Sequence, residues 1–290
     1  MDRRDFVRLT AGAIGGVAAA SSLSRSALAQ EGPVWRKAVV SGMLSGDLDW
    51  AGRFALAKAC GFDGVEMPLI EDLEECSRVA EAAAAEGIEL HSVIYGGWHA
   101  PLSSGDEATV AEGQRTLEAA IREAKVIGAT TVLLVPAVVG EDTRYAVAYD
   151  RSQENLRPLI PIAEELGINI SIENVWNNFL LSPIEMARYV DEMGSERVRA
   201  YFDCGNIVKF GWPEDWILTL GERIDKIHLK DYSRADGWKD LREGDVNWPR
   251  VTGALREIGY EGYFTCELAG GDEAYLKDVA ARVDLILAGE

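Results

Sequence analysis

Hydrophobic positions along this chain change repeatedly between two spacings. Short runs of β-branched and aromatic residues predict strands, and the longer amphipathic runs between them predict helices. Several helical runs end at a glycine, the usual stop of a helix. The predicted strands are 37–44, 64–68, 89–95, 131–137, 169–175, 199–204, 226–230 and 263–268. The predicted helices are 49–60, 72–86, 107–127, 151–166, 183–193, 213–220, 248–258 and 274–287.

Eight strands in strict alternation with eight helices predict an α/β fold, a single (β/α)8 TIM barrel. About 260 residues remain after the N-terminal segment described next, which suits one barrel of about 250 residues. An open, doubly wound sheet is the competing architecture, and it would carry a glycine-rich phosphate turn after an early strand. The stretch AGAIGG at 11–16 does not qualify because no strand precedes it.

Residues 1–29 have the pattern of an export signal. A charged start with Arg3 and Arg4 precedes an apolar run rich in glycine and alanine, and ALA closes the segment at Ala29. The paired arginines followed by Asp5 fit the twin-arginine type. A membrane anchor is the alternative, but the apolar run is short for a bilayer of about 30 Å. We therefore expect a periplasmic or otherwise exported protein whose barrel domain is residues 30–290.

Charge and cysteine usage narrow the function further. The chain has 29 basic and 48 acidic residues, and residues 1–29 hold four arginines and two aspartates, so the remainder carries a formal charge of −21. Such a charge disfavours nucleic acid and anionic membranes as partners. The four cysteines form no CxxC or zinc-type spacing, which favours buried free thiols, although an even count permits disulfides.

Polar residues stand at the ends of four consecutive predicted strands. With a two-residue period, Glu173, Asp203, His228 and Glu267 all face the barrel interior at the end where active sites of such barrels form. Each could be an ordinary strand-end residue, bonded to backbone or to Lys226, Lys230 or Arg234. Four in register favour one divalent ion instead, because buried carboxylates need compensation. Three oxygens and one imidazole suit Mn²⁺ first, with Mg²⁺, Co²⁺ or Zn²⁺ as alternatives.

The sequence resembles the sugar isomerase and epimerase superfamily with the xylose isomerase-like barrel, above all the ketose 3-epimerases and L-ribulose phosphate epimerases. The resemblance covers nearly all of the chain after the signal. Its motifs are GFDGVEM (61–67), ELGINISIENVWNNF (165–179), YFDCGN (201–206), KIHLKDYSR (226–234), EGDVNW (243–248) and IGYEGYFTCEL (258–268).

This resemblance implies roles for individual residues. It places one metal on Glu173, Asp203, His228 and Glu267, and it makes the two glutamates an acid/base pair acting on a metal-bound enediolate. Arg234 matches an arginine that contacts a sugar oxygen. Asn206 stands where the epimerases usually carry histidine, and a further carboxylate of that group is replaced by Phe179, so these two departures bear on the substrate.

Further candidates come from the residues themselves. Glu66 ends the second strand and His91 lies within the third, so either can face the pocket, although a structural hydrogen bond explains each equally well. Trp176 can form an apolar wall against a sugar ring. Lys230 and Asp231 can orient neighbouring ligands.

The sequence thus predicts an enzyme, a divalent-metal-dependent isomerase or epimerase of an unphosphorylated keto sugar. A homo-oligomer is compatible with it. One alternative is a metal-dependent lyase or hydratase acting on 3-keto-glycosides, and another is a non-catalytic periplasmic sugar-binding protein. An endonuclease acting at apurinic sites would need more than three histidines and a basic surface.

Replacing Arg3 and Arg4 by lysine should leave the precursor uncleaved in the cytoplasm, because the twin-arginine pathway reads that pair. Cell fractionation and the mass of the mature chain measure this. Normal processing and export of the double variant would contradict the assignment.

Overall fold

Eight parallel strands close into a barrel in the computed structural model, which describes Val34–Glu290. The predicted export signal lies outside the described residues. Around the barrel the strands follow the order β1-β10-β7-β6-β5-β4-β3-β2. Their bounds are β1 Trp35–Val40, β2 Gly64–Pro68, β3 Glu89–Gly96, β4 Thr131–Leu134, β5 Asn169–Glu173, β6 Val198–Asp203, β7 Ile224–Leu229 and β10 Gly262–Cys266. An antiparallel hairpin of β8 Asp231–Ser233 and β9 Gly237–Lys239 follows β7.

Helices follow the strands and pack outside the barrel, as the alternating pattern predicts. They are α1 Trp50–Ala59, α2 Leu73–Glu86, α3 Glu107–Ile127, α4 Tyr145–Leu156, α5 Ile160–Leu166, α6 Pro183–Glu192, α7 Cys204–Val208, α8 Pro213–Leu220, α9 Trp248–Glu257 and α10 Glu273–Ala288. The (β/α)8 barrel predicted from the sequence is confirmed.

The helix predicted at 151–166 differs most from the observed structure. It begins six residues earlier, at Tyr145, and is divided by a 3₁₀ turn, Arg157–Leu159. Pro158 and Pro161 lie at this division, and neither has a backbone N–H to donate to the preceding turn. The helical spacing of hydrophobic residues continues across the division, because α4 and α5 both pack against the barrel. The sequence therefore predicted one helix in place of two.

Two elements were not predicted from the sequence. The strand predicted to reach Cys204 ends at Asp203, where the Asp203 carboxylate accepts the backbone N–H of Asn206 at 2.8 Å and starts α7. The hairpin β8–β9 is too short to give a periodic pattern. Both elements lie directly after strands that carry predicted metal ligands.

The core fills the space between the barrel and its helices. It includes Phe54, Leu117, Ile172, Phe202 and Val283, none of which is exposed. All four cysteines are buried and unpaired, which agrees with the interpretation as free thiols. Among the described residues, no helix is long and apolar enough to cross a membrane.

A buried aspartate organises the connection between β7 and α9. Asp231 is inaccessible to solvent, and its carboxylate accepts the backbone N–H groups of Tyr232 (2.9 Å), Arg242 (2.9 Å) and Val246 (3.2 Å) and the Trp248 Nε1–H (3.1 Å). These bonds tie the hairpin and the following loop to one point. The hydrogen bonds of Asp231 go to the connection between β7 and α9. None of them reaches a predicted metal ligand, so Asp231 does not orient those ligands directly.

Asp231→Ala should destabilise the protein by about 3 kcal/mol or more, because it leaves several buried donors without an acceptor. Urea unfolding measures the loss. Asp236→Ala is the matched control on the same hairpin, since that carboxylate is largely exposed and pairs only with Lys239, and it should change stability by less than about 0.5 kcal/mol. Equal effects of the two variants would contradict the role given to Asp231.

Candidate metal centre

Four side chains meet where four neighbouring strands end. Glu173 is the last residue of β5, Asp203 the last of β6, His228 lies near the end of β7, and Glu267 follows β10 directly. The register pairs Asp203 with His228 across β6 and β7. One ligand atom from each side chain lies within 4.8 Å of those of the other three. The geometry predicted from strand alternation is therefore observed.

His228 is the centre of this cluster. Its Nδ1 lies 3.0 Å from Glu173 Oε1 and 2.8 Å from Glu267 Oε2, and the ring is 1% exposed. The Tyr201 ring packs against it with centroids 4.4 Å apart. The imidazole therefore presents Nδ1 to the two glutamates that are predicted to share an ion with it.

Glu66 supports His228 from the opposite side. Its Oε2 lies 2.6 Å from His228 Nε2, and the residue is fully buried in the middle of β2, not at the end of that strand as the sequence predicted. A carboxylate that holds one ring nitrogen fixes the tautomer that leaves the other nitrogen free for a metal. The structure thus gives Glu66 a contact with the predicted metal ligand His228, and the assignment of Glu66 to substrate binding stays a prediction.

Lys230 joins two of the carboxylates. Its Nζ lies 3.1 Å from Asp203 Oδ2 and 2.6 Å from Glu267 Oε2. The backbone at Gly205 approaches it so closely that an added Cβ would lie 2.6 Å from the Lys230 Cβ. A glycine in YFDCGN is thus required for α7 to pack against this lysine.

An asparagine that the sequence analysis did not single out fixes Asp203. The Asn174 amide donates to the Asp203 carbonyl at 2.8 Å and accepts the Asp203 N–H at 2.9 Å. Asn206 Nδ2 donates to the Asn174 carbonyl at 3.0 Å. This network holds the ends of β5 and β6 together. In the sequence, Asn174 is an amide directly after the predicted ligand Glu173. A pattern made of charged residues does not include it.

The two glutamates differ in proton affinity. Burial raises the pKa of Glu173 to about 7, although its bond to His228 opposes the shift. Burial also acts on Glu267, but the charges of His228 and Lys230 outweigh it and lower its pKa to about 2. Burial opposes the charged form of His228 too, yet Glu66 and Glu267 raise its pKa well above the usual value. In the ion-free protein, these protons and the Lys230 ammonium offset part of the charge of the carboxylates.

The donor set fits a divalent ion. Asp203 Oδ2 is buried and receives no hydrogen bond from the described residues. The Lys230 ammonium lies 3.1 Å away, and the oxygen is free to bind an ion. Carboxylates from Glu173, Asp203 and Glu267 together with one imidazole are the ligands expected for Mn²⁺, Mg²⁺ or Co²⁺.

His91 and Arg234, which are predicted to contact substrate, both contact other residues of the protein. His91 is buried in β3, its Nε2 lies 3.2 Å from Thr265 Oγ1, and its ring stacks on Tyr263 with centroids 4.2 Å apart. Arg234 donates to the Gly211 carbonyl at 2.8 Å, and its guanidinium lies 5.5 Å from the centre of the Trp212 ring. These contacts hold both side chains, and their assignment to substrate binding stays a prediction.

Trp176 lies in an aromatic cluster. Its ring stacks on Trp238 with centroids 4.9 Å apart and meets the edge of Tyr232 at 5.3 Å, and its Nε1 donates to the Asn206 carbonyl at 2.9 Å. Phe179, in contrast, is buried against Tyr145, Tyr149 and Tyr189. The residue that replaces a family carboxylate therefore belongs to the apolar core.

Comparison with known proteins agrees with this architecture. Residues 54–284 match the model of a family described as xylose isomerase-like TIM barrel. SgbU of Escherichia coli (strain K12), provisionally named an L-ribulose-5-phosphate 3-epimerase, is 28% identical over 244 residues, which cover 78% of this chain and 85% of that protein.

Solved structures share the fold at low sequence identity. An L-ribulose 3-epimerase has a TM-score of 0.77 at 18% identity, with 88% of this chain and 95% of that one covered. The 3-keto-D-glucoside 4-epimerase YcjR of E. coli has a TM-score of 0.75 at 14% identity, with 88% and 99% covered.

Metal binding should strengthen as pH rises, because an ion must displace the His228 Nδ1 proton and, below about pH 7, the Glu173 proton as well. The dissociation constant of Mn²⁺ for chelator-stripped protein should therefore increase at least about tenfold per unit of falling pH. Calorimetry between pH 5.5 and 8.5 measures the constant, and buffers of different ionisation enthalpy count the released protons.

Glu173→Gln should weaken binding and remove the additional proton released below pH 7. Glu118→Gln, on the exposed face of α3, is the control and should behave as the unmodified protein. An affinity that is the same at pH 6 and pH 8 would contradict the ligand set.

Proposed function

The chain belongs to the xylose isomerase-like TIM barrel family, and we propose that it is a divalent-metal-dependent isomerase or epimerase of a keto sugar. The observation that carries the proposal is the convergence of Glu173, Asp203, His228 and Glu267 within 4.8 Å at the end of the barrel. The names of its epimerase relatives support the same reaction class. A sugar-binding protein without activity would have no need of this acid/base pair.

A divalent ion held by these four residues supplies a Lewis acid that stabilises negative charge on neighbouring oxygens of the sugar. The carbon-bound proton beside a carbonyl then becomes acidic enough for a carboxylate to remove. Asn174 and Glu66 fix the positions of Asp203 and His228.

Glu173 and Glu267 are the proposed acid/base pair. Both approach the same His228 nitrogen, at 3.0 and 2.8 Å, from different strands of the barrel. Their different surroundings suit complementary roles, since Glu267 beside Lys230 stays ionised while Glu173 takes up a proton more readily. One glutamate removes a proton from the carbon next to the carbonyl, and the other returns a proton to the opposite face.

The substrate is proposed to be an unphosphorylated sugar. Export through the predicted signal would bring the enzyme to a compartment where sugars and glycosides are mostly not phosphorylated. Arg234, Asn206 and Trp176 are among the residues predicted to contact it. Among them, Asn206 is anchored by Asn174 and Trp176 by Asn206, so the two would be positioned together.

A lyase or hydratase acting on 3-keto-glycosides is the second candidate. It would use the same removal of a proton beside a carbonyl, followed by departure of a substituent in place of reprotonation. A 3-keto-D-glucoside 4-epimerase has the same fold, with a TM-score of 0.75, and this likeness supports a keto-glycoside as the substrate of the second candidate.

Turnover of a keto sugar in D₂O should place deuterium on a carbon next to the carbonyl, because the glutamate that returns a proton to the opposite face carries one taken from solvent. Glu→Gln at either position should lower turnover by at least about 10²–10⁴-fold, since a base and a ligand charge are both lost. NMR of the products measures the label and distinguishes an epimer from an elimination product.

The metal content of each variant must be measured beside its activity, so that a lost base is distinguished from a lost ion. Glu118→Gln should retain full activity. Near-normal turnover of both Glu173→Gln and Glu267→Gln would leave the two carboxylates as ligands only.

A further inference from the structure

A groove beside the metal cluster extends to residues that are not part of the cluster. Its volume is about 690 Å³, and Lys230 and Glu267 form its inner end. Pockets of about 300–1,000 Å³ enclose drug-sized ligands. We call it the distal groove and define it by the residues beyond the cluster: Trp238, Lys239, Asp240, Glu243, Leu268, Ala269 and Tyr275.

One wall of the distal groove is a supported tryptophan. Trp238 is half exposed, while its ring stacks on Trp176 at 4.9 Å and meets Tyr232 at 5.1 Å. Trp176 does not line the groove, so it supports Trp238 from outside. A ring that is already held loses little freedom when a ligand packs on it. Tyr275 supplies a second aromatic side chain, and its hydroxyl lies 3.3 Å from Asp240 Oδ1.

The charged side chains of the groove oppose a phosphorylated ligand. Lys230 is paired with Asp203 and Glu267, and Lys239 Nζ lies 3.5 Å from Asp236 Oδ2. Among the described residues, no other cation lines the groove, whereas Asp240 and Glu243 both do, Glu243 in an ion pair with Arg282 at 2.7 Å. A phosphate group carries a charge of about −1.5 to −2 at neutral pH and would meet these carboxylates.

Aromatic faces and carboxylate acceptors together match a neutral ring that bears hydroxyl groups. The apolar C–H face of such a ring packs on an aromatic side chain, and its hydroxyls donate to carboxylates. We propose that the distal groove binds the substituent of a glycoside while the keto sugar to which it is attached lies at the metal cluster. This inference rests on the proposed function and narrows its substrate class from free sugars to unphosphorylated glycosides.

Binding of unreactive sugars tests the groove without turnover. Phenyl β-D-glucoside should bind the Mn²⁺-loaded protein at least tenfold more tightly than glucose in calorimetry. Trp238→Ala should remove this advantage, and Tyr275→Ala should reduce it. Phe210→Ala, an exposed aromatic outside the groove, is the matched control and should retain it. Equal affinities for the two sugars, or an advantage that survives Trp238→Ala, would overturn the proposal.

Kinetics separate this inference from the proposed function. With phenyl 3-keto-β-D-glucoside as substrate, Trp238→Ala should raise KM about tenfold and change kcat little, while values for free 3-keto-D-glucose should stay within twofold. If neither sugar is turned over but the binding advantage is present and depends on Trp238, the proposed reaction fails and the groove assignment stands. An unchanged KM for the glycoside in Trp238→Ala would overturn the groove assignment alone.

Discussion

The concentration of carboxylates around His228 is the constraint on which the rest of the site depends. Glu66, Glu173 and Asp203 are buried, Glu267 is partly buried, and among the described residues only Lys230 and His228 form ion pairs with them. Removing a carboxylate from water costs several kcal/mol unless it is compensated. Protons on Glu173 and His228 provide part of that compensation in the ion-free protein, and a divalent ion would replace them. The same group of carboxylates therefore determines the affinity of the site for a metal ion and its affinity for protons, and the two compete.

Barrel closure makes this arrangement possible. The order β10-β7-β6-β5 places four strand ends side by side, so each side chain needs only to lie at the correct position of its own strand. Fine positioning comes from local bonds. Asn174 holds the backbone of Asp203 in both directions, Glu66 holds His228 from β2, and Gly205 allows α7 to approach Lys230.

Features that depend on the spacing of hydrophobic residues and on the positions of charged residues could be predicted from the sequence. Alternation in β5, β6 and β7 was sufficient to bring Glu173, Asp203 and His228 to one end of the barrel, because the direction of a strand side chain follows from its parity. Contacts between distant strands have no such signal. The pairing of Glu66 with His228 joins residues 162 positions apart. The hairpin β8–β9 and helix α7 are too short for a period, and side-chain bonds from Asp231 and Asp203 determine them.

Asp231 connects stability with specificity. It follows Lys230 directly, and its four hydrogen bonds hold the hairpin and the start of α9. The same hairpin carries Trp238, so the aromatic wall of the distal groove is joined through Lys230 to the strand that supplies His228. A rigid connection of this kind sets the distance between the metal cluster and the groove. It therefore favours substrates whose substituent lies at one fixed separation from the reacting carbon, since binding energy from a remote group assists reaction only when the reacting part is positioned at the same time.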